Sequence, residues 1–119
     1  MKILIVENEP TNLEVMALAM EMEGMEVFPL ISAKGFIPKV TAIRPDLVLL
    51  DIELDGFDGR ELCRLLKRTD GINHIPVIIV SACIGAKTQS SFGYGADRVI
   101  TKPFDLVELI REVKSLVRK

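Results

Sequence analysis

The chain has 119 residues, 49% hydrophobic and 27% charged, which is the balance of one globular domain over 1–119, too apolar for disorder and too short for two domains. Its formal net charge is −2 with acids and bases interspersed, so it carries no electrostatic footprint for direct binding of nucleic acid. One histidine and two cysteines, Cys63 and Cys83, cannot close a zinc site, and the longest apolar run, Val15–Met20, is far short of a membrane span.

Taken in chain order, short apolar runs alternate with helical patterns. Ile3–Val6 opens the chain as a strand and meets Glu7 too soon for a secretion signal. Lone thiols without a leader predict a reducing, cytoplasmic setting. Thr11 with Glu14 reads as a capping box before Leu13, Met16, Ala17 and Met20 at helical spacing. Val27–Leu30 follows as a strand, then a weaker helical segment over 36–43 that tolerates Pro38 only in its first turn. Leu47–Leu50 is a continuous apolar strand, as is Val77–Val80, and such runs mark strands buried on both faces of a parallel sheet. Between them Asp58 and Glu61 cap a helix carrying Leu62, Cys63, Leu65 and Leu66, where Cys63 reads as core. His74 only precedes the next strand. Segment 84–95 has three glycines and no apolar stripe, which predicts a short or poorly formed helix. Arg98–Ile100 is the last strand. Asp105 and Glu108 then cap a helix with a one-sided stripe through Leu106, Leu109, Ile110, Val113, Leu116 and Val117. Five strands alternating with five helices predict an α/β fold with a doubly wound, five-stranded parallel sheet.

In such a sheet the site lies outside the carboxyl ends of the strands, near the switch point. Glu7, Asn8 and Glu9 follow the first strand, Asp51 the third, Ser81 the fourth and Lys102 the fifth. Together they form a set suited to phosphoryl transfer. Asp51 can act as nucleophile and become an aspartyl phosphate. Glu7 and Asn8 offer oxygens to Mg²⁺, which takes one or two carboxylates plus water and phosphate. Lys102 and the Ser81 hydroxyl can each hold a phosphoryl oxygen. Alone, Asp51 reads better as a helix cap and Lys102 as a solvated loop charge; the set of four carries the chemistry. Cys83, two residues past Ser81, either faces the site or packs.

These residues resemble a response-regulator receiver domain of two-component signalling, over the whole chain. The resemblance rests on Ile3-Leu4-Ile5-Val6-Glu7-Asn8-Glu9-Pro10, on Leu49-Leu50-Asp51-Ile52-Glu53 through Gly59, on Ile75–Ala82 and on Gly95–Phe104. Spacings of 44, 30 and 21 residues separate Glu7, Asp51, Ser81 and Lys102. Four motifs in order make a specific signal where one would be weak. The resemblance implies a flavodoxin-like (βα)5 sheet of strand order 2-1-3-4-5. It implies that Asp51 accepts phosphate from a sensor histidine kinase or phosphotransfer protein, and that the chain signals through a downstream protein effector. It implies Ser81 and Lys102 as phosphate-binding switch residues, a cis proline after Lys102, and a metal site of Glu7, Asn8, Asp51 and the Glu53 backbone carbonyl. It implies no enzyme, with at most self-phosphorylation and self-dephosphorylation. No membrane and no nucleic acid is expected as a partner.

Four departures stand out. Asn8 replaces the second acid of the family's opening, which predicts weaker Mg²⁺ binding. Val99 replaces the aromatic switch residue three before the lysine. Segment 84–95 is short. Asp55 stands where the family prefers proline, which predicts a looser loop. These departures support the alternative of a degenerate receiver, a protein-binding module independent of phosphorylation. An Asp-dependent phosphohydrolase would place a second Asp where Glu53 stands. A flavin carrier would need a phosphate loop where Glu7-Asn8-Glu9 repels phosphate. With Lys119 just past the fifth helix, a stand-alone receiver is expected, either natural in this form or a fragment of a longer regulator or hybrid kinase.

Overall fold

A computed structural model describes residues 1–82 and 86–117, with the side chains of 86–89 outside that description. Five strands form one parallel sheet: β1 (Lys2–Val6), β2 (Glu26–Leu30), β3 (Leu47–Asp51), β6 (Val77–Ser81) and β7 (Arg98–Thr101). Their spatial order is β2-β1-β3-β6-β7, which is the expected 2-1-3-4-5 arrangement. The helices are α1 (Pro10–Met22), α2 (Phe36–Ile43), α3 (Gly59–Lys67), α4 (Ala86–Gly93) and α5 (Leu106–Val117). The sequence reading missed a two-stranded hairpin, β4 (Glu53–Leu54) with β5 (Phe57–Asp58), placed directly after the third strand.

β1, β3 and β6 are central, and their apolar runs are split by the period of two between two cores. Leu4, Val6, Val48, Leu50, Val77 and Ile79 face α2 and α3, meeting Phe36, Val40, Cys63 and Leu66. Ile3, Ile5, Leu47, Leu49, Ile78 and Val80 face α1 and α5, meeting Met16, Met20, Leu109 and Val113. A strand with alternating polarity could not fill both layers, which is why these segments read as unbroken apolar runs. β2 is an edge strand and so accommodates Pro29, which has no N–H to give a further neighbour. Cys63 is fully buried, and that burial pushes its thiol up to about 11, so it packs as an inert hydrophobe.

The helix starts differ in one place from the sequence reading. Asp58 accepts from the Arg60 N–H at 2.9 Å and Asp105 from the Val107 N–H at 2.7 Å, so both caps form as expected. α1, however, begins at Pro10, and its cap is Glu9, which accepts from the Asn12 N–H at 2.7 Å and the Thr11 N–H at 3.1 Å. Thr11 lies inside the first turn. Pro10 explains the shift, since its fixed φ and missing N–H suit the first helical position. The bonds from Asn12 and Thr11 also hold the Glu9 carboxyl below its ordinary range. Segment 84–95 yields the eight-residue α4, as short as its glycines predict; Ile84 and Gly85 lie outside the described residues.

Candidate functional site

Four candidate residues sit at or one step beyond the carboxyl end of a central or adjoining strand, while Asn8 and Glu53 lie two steps past β1 and β3 and Val99 lies within β7. Glu7 follows β1, Asp51 ends β3, Ser81 ends β6 and Lys102 follows β7. Crossing from β1 to β3 is the switch point of this strand order, so the parallel sheet itself delivers the four to one rim.

Lys102 binds them together. Its Nζ donates to Glu7 Oε1 at 2.7 Å and to Asp51 Oδ2 at 3.2 Å. Glu7 is 1% exposed, Asp51 7% and Ser81 1%, so two carboxylates and a hydroxyl lie under the surface with one ammonium between the acids. The second Glu7 oxygen accepts from the Glu9 N–H at 3.1 Å. The Lys102 backbone N–H donates to the Ser81 carbonyl at 2.7 Å, locking the loop after β7 to the end of β6. The Lys102–Pro103 peptide is cis, as the resemblance implies.

The electrostatics are unbalanced. Burial raises the Asp51 carboxyl above its ordinary range, the Glu7 charge adds to that, and Lys102 only partly offsets the two. For Lys102, burial alone would lower its pKa. The bond to Glu7 and the Asp51 charge outweigh it, and the ammonium is held more firmly than usual. Two carboxylates sharing one ammonium leave about one negative charge in a poorly solvated place. That surplus is of the sign that attracts a cation, although among the described residues no three acidic, histidine or cysteine side chains are grouped to hold a metal ion.

An Asp51→Asn variant removes the surplus charge and should be more stable than the parent. The sign follows from linkage. A carboxyl whose folded pKa is raised binds protons better when folded, so its penalty is fully expressed above that pKa and fades as pH falls through it. At pH 7 the substitution should add about 1 kcal/mol in urea denaturation, and the gain should shrink towards pH 4.

Beside this rim is a cleft of about 460 Å³ lined by Asn8, Glu53, Asp55, Phe57 and Asp58 among others. The hairpin β4–β5 forms its wall. Its turn is Asp55-Gly56, with Gly56 at φ 76, a conformation that glycine adopts freely. The Asp-Gly pair between Leu54 and Phe57 was the sequence signal for this hairpin. At this turn Asp55 Oδ1 accepts from Asn8 Nδ2 at 3.3 Å.

Gly59 is a second residue the sequence reading undervalued. Its N–H donates to the Ile52 carbonyl at 2.7 Å, and a Cβ there would land on the Asp51 carbonyl oxygen. α3 can approach the end of β3 this closely only because position 59 has no side chain. Val99 is half-buried against the α2/α3 core, so at the aromatic switch position there is an aliphatic side chain and no ring. α4 is tied to α3 instead by Arg60, which bonds Ser90 Oγ at 3.0 Å, and by the Tyr94 ring, which has the Arg64 guanidinium 4.1 Å from its centre. Cys83 lies outside the described residues.

Comparison with known proteins agrees with this geometry. The sequence profile of the response regulator receiver domain matches residues 3–114. The phosphate regulon transcriptional regulatory protein PhoB of Pseudomonas aeruginosa is 38% identical over 119 residues, covering 98% of this chain and 52% of that protein. The chain spans about half the length of the curated relatives it matches first. Among solved structures, the signal receiver domain of a signal transduction histidine kinase from Syntrophus aciditrophicus is 33% identical, with a TM-score of 0.89 over 98% of this chain and 89% of that one. The BeF3-activated N-terminal receiver domain of Klebsiella pneumoniae RstA is 27% identical, with a TM-score of 0.89 over 100% of both chains. With its fold, its strand-end residues and a family match over nearly its whole length, the chain belongs to the response regulator receiver domains of two-component signalling.

Proposed function

We propose that this domain takes a phosphoryl group onto Asp51 from the phosphohistidine of a sensor histidine kinase or phosphotransfer protein, and passes its state to a protein effector. The observation that carries this reading is the buried Glu7–Lys102–Asp51 cluster at the switch point, with Ser81 at the adjoining strand end. A purely structural ion pair would not need a second buried carboxylate that raises the first.

In this reading an Asp51 oxygen attacks phosphorus, the P–N bond to the donor histidine breaks, and the electron pair returns to the imidazole. Lys102 moves its contact from Asp51 Oδ2 to a phosphoryl oxygen while keeping Glu7. The Ser81 hydroxyl, buried at the end of its strand, bonds another. Asp51, Asn8, Glu7 and the Glu53 carbonyl would hold Mg²⁺, which when bound neutralises phosphoryl charge. Asn8 brings an oxygen without a charge, so the affinity for Mg²⁺ should be lower than in a chain with two acids after the first strand.

Intact mass after incubation with acetyl phosphate or phosphoramidate tests the reading. One added phosphoryl group is expected in the presence of Mg²⁺ and none in Asp51→Asn. The second reading, a binding module that works unmodified, is favoured by Asn8 and by Val99 at the switch position. Absence of the adduct both in the parent and in Asn8→Asp would select it.

A further inference from the structure

The geometry points to Asp55 as a positioning residue that makes Asn8 a competent ligand for the divalent cation, compensating on the hairpin for the acid missing after β1. This rests on the metal part of the function proposed above. Two of the chain's departures from its family, Asn8 and Asp55, are 47 residues apart in sequence and meet across the cleft.

An ionised carboxylate can only accept hydrogen bonds, so the group that Asn8 turns towards Asp55 must be its NH₂. With Nδ2 committed to Asp55 Oδ1 at 3.3 Å, the amide carbonyl Oδ1 is the atom left for the cation. A free asparagine has no such preference; its two ends are near-isosteric, and half of its rotations present a donor to a metal. An aspartate needs no orienting, because either oxygen serves. Asp55 is also held where it can orient the amide. It lies in the two-residue turn of the β4–β5 hairpin, and Leu54 anchors that hairpin in the core. The carboxylate further supplies a negative charge at the cleft mouth.

Calorimetric titration of MgCl₂ into the parent, Asp55→Ala, Asn8→Asp and the double variant tests this. Asp55→Ala should weaken Mg²⁺ binding about fivefold in the parent, as expected for losing a charge-assisted hydrogen bond that orders a ligand. In the Asn8→Asp chain the same substitution should change affinity by less than about twofold, because nothing remains to orient and a carboxylate pair is relieved. Equal weakening in both backgrounds would show that Asp55 acts through its charge alone and would overturn the inference, as would no weakening in the parent. Saturable binding by Asn8→Asp but not by the parent would also overturn it, since the oriented amide would then be no ligand. If none of the four proteins binds Mg²⁺, the metal reading itself fails, and the inference with it.

Discussion

Lys102→Met is expected to cost about 3–5 kcal/mol of folding stability at pH 7, the penalty for leaving buried charge without its partner. The size follows from where the ammonium sits. Its side chain is 15% exposed and bonds two carboxylates, one of them 1% exposed, so water cannot replace it. Methionine keeps much of the stem's packing and removes only the charge and the donor, which isolates the electrostatic part.

The pH dependence gives the sign a second check. In the parent the Lys102 pKa is raised above its unfolded value, so its stabilisation is fully present below about pH 10.5 and is lost as pH rises through the folded pKa. In Lys102→Met the Asp51 carboxyl, already raised by burial and by the Glu7 charge, loses the ammonium that partly offsets them, and its folded pKa climbs further above the unfolded value. The folded variant then binds more protons than the unfolded one, so it gains stability as the pH falls from 7 towards 5 and the deficit narrows. Adding Asp51→Asn leaves one buried carboxylate and should recover about 2–3 kcal/mol of the loss, more than the about 1 kcal/mol it adds to the parent, and a double-mutant cycle by urea denaturation reads that difference as coupling. Additive effects of the two substitutions with no pH dependence would mean that Lys102 contributes packing alone, and the charge-cluster reading of the site would fall.

Most of this cluster was legible from strand ends alone. A parallel sheet places the residue after each buried apolar run on the same rim, so Glu7, Asp51, Ser81 and Lys102 could be assembled without coordinates. What the runs could not show was how the rim is closed. Glu9 rather than Thr11 caps α1, because a proline next to several candidate caps decides between them by φ, a preference that residue patterns rank poorly. The β4–β5 hairpin has only two residues per strand, too few to show a period of two, and its Asp-Gly turn lay inside a stretch already read as the acceptor loop. The Asn8–Asp55 contact joins residues 47 apart through that hairpin. The pairing depends on a loop conformation, and no local pattern encodes it. Asp55 therefore read as a missing proline, when in the fold it is an acceptor for the Asn8 amide.

Gly59→Ala is expected to destabilise the domain by about 3 kcal/mol and to slow phosphorylation of Asp51. On propensity the substitution should help, since alanine in a helix is favoured over glycine by about 1 kcal/mol. Space decides against it. The new Cβ would meet the Asp51 carbonyl oxygen and carbon and the Ile52 Cα, all of them backbone atoms of the acceptor strand and its continuation. No rotamer can relieve a clash with backbone, so either α3 withdraws or the end of β3 moves. Withdrawal breaks the Gly59 N–H bond to the Ile52 carbonyl and pulls on Asp58, which ends β5 and caps α3. Movement of β3 shifts Asp51 relative to Lys102, and displacements of about 1 Å matter to a nucleophile that must align with a departing group. Gly24→Ala is the control. Gly24 has φ 83 and nothing within 4 Å of a built Cβ, so its cost is backbone strain of about 1 kcal/mol, with the rate at Asp51 unchanged. Equal losses of stability and unaltered phosphorylation in the two variants would show that α3 can yield at position 59 without disturbing the acceptor. A larger loss and a slower adduct in Gly59→Ala alone would tie the start of α3 to the placing of Asp51.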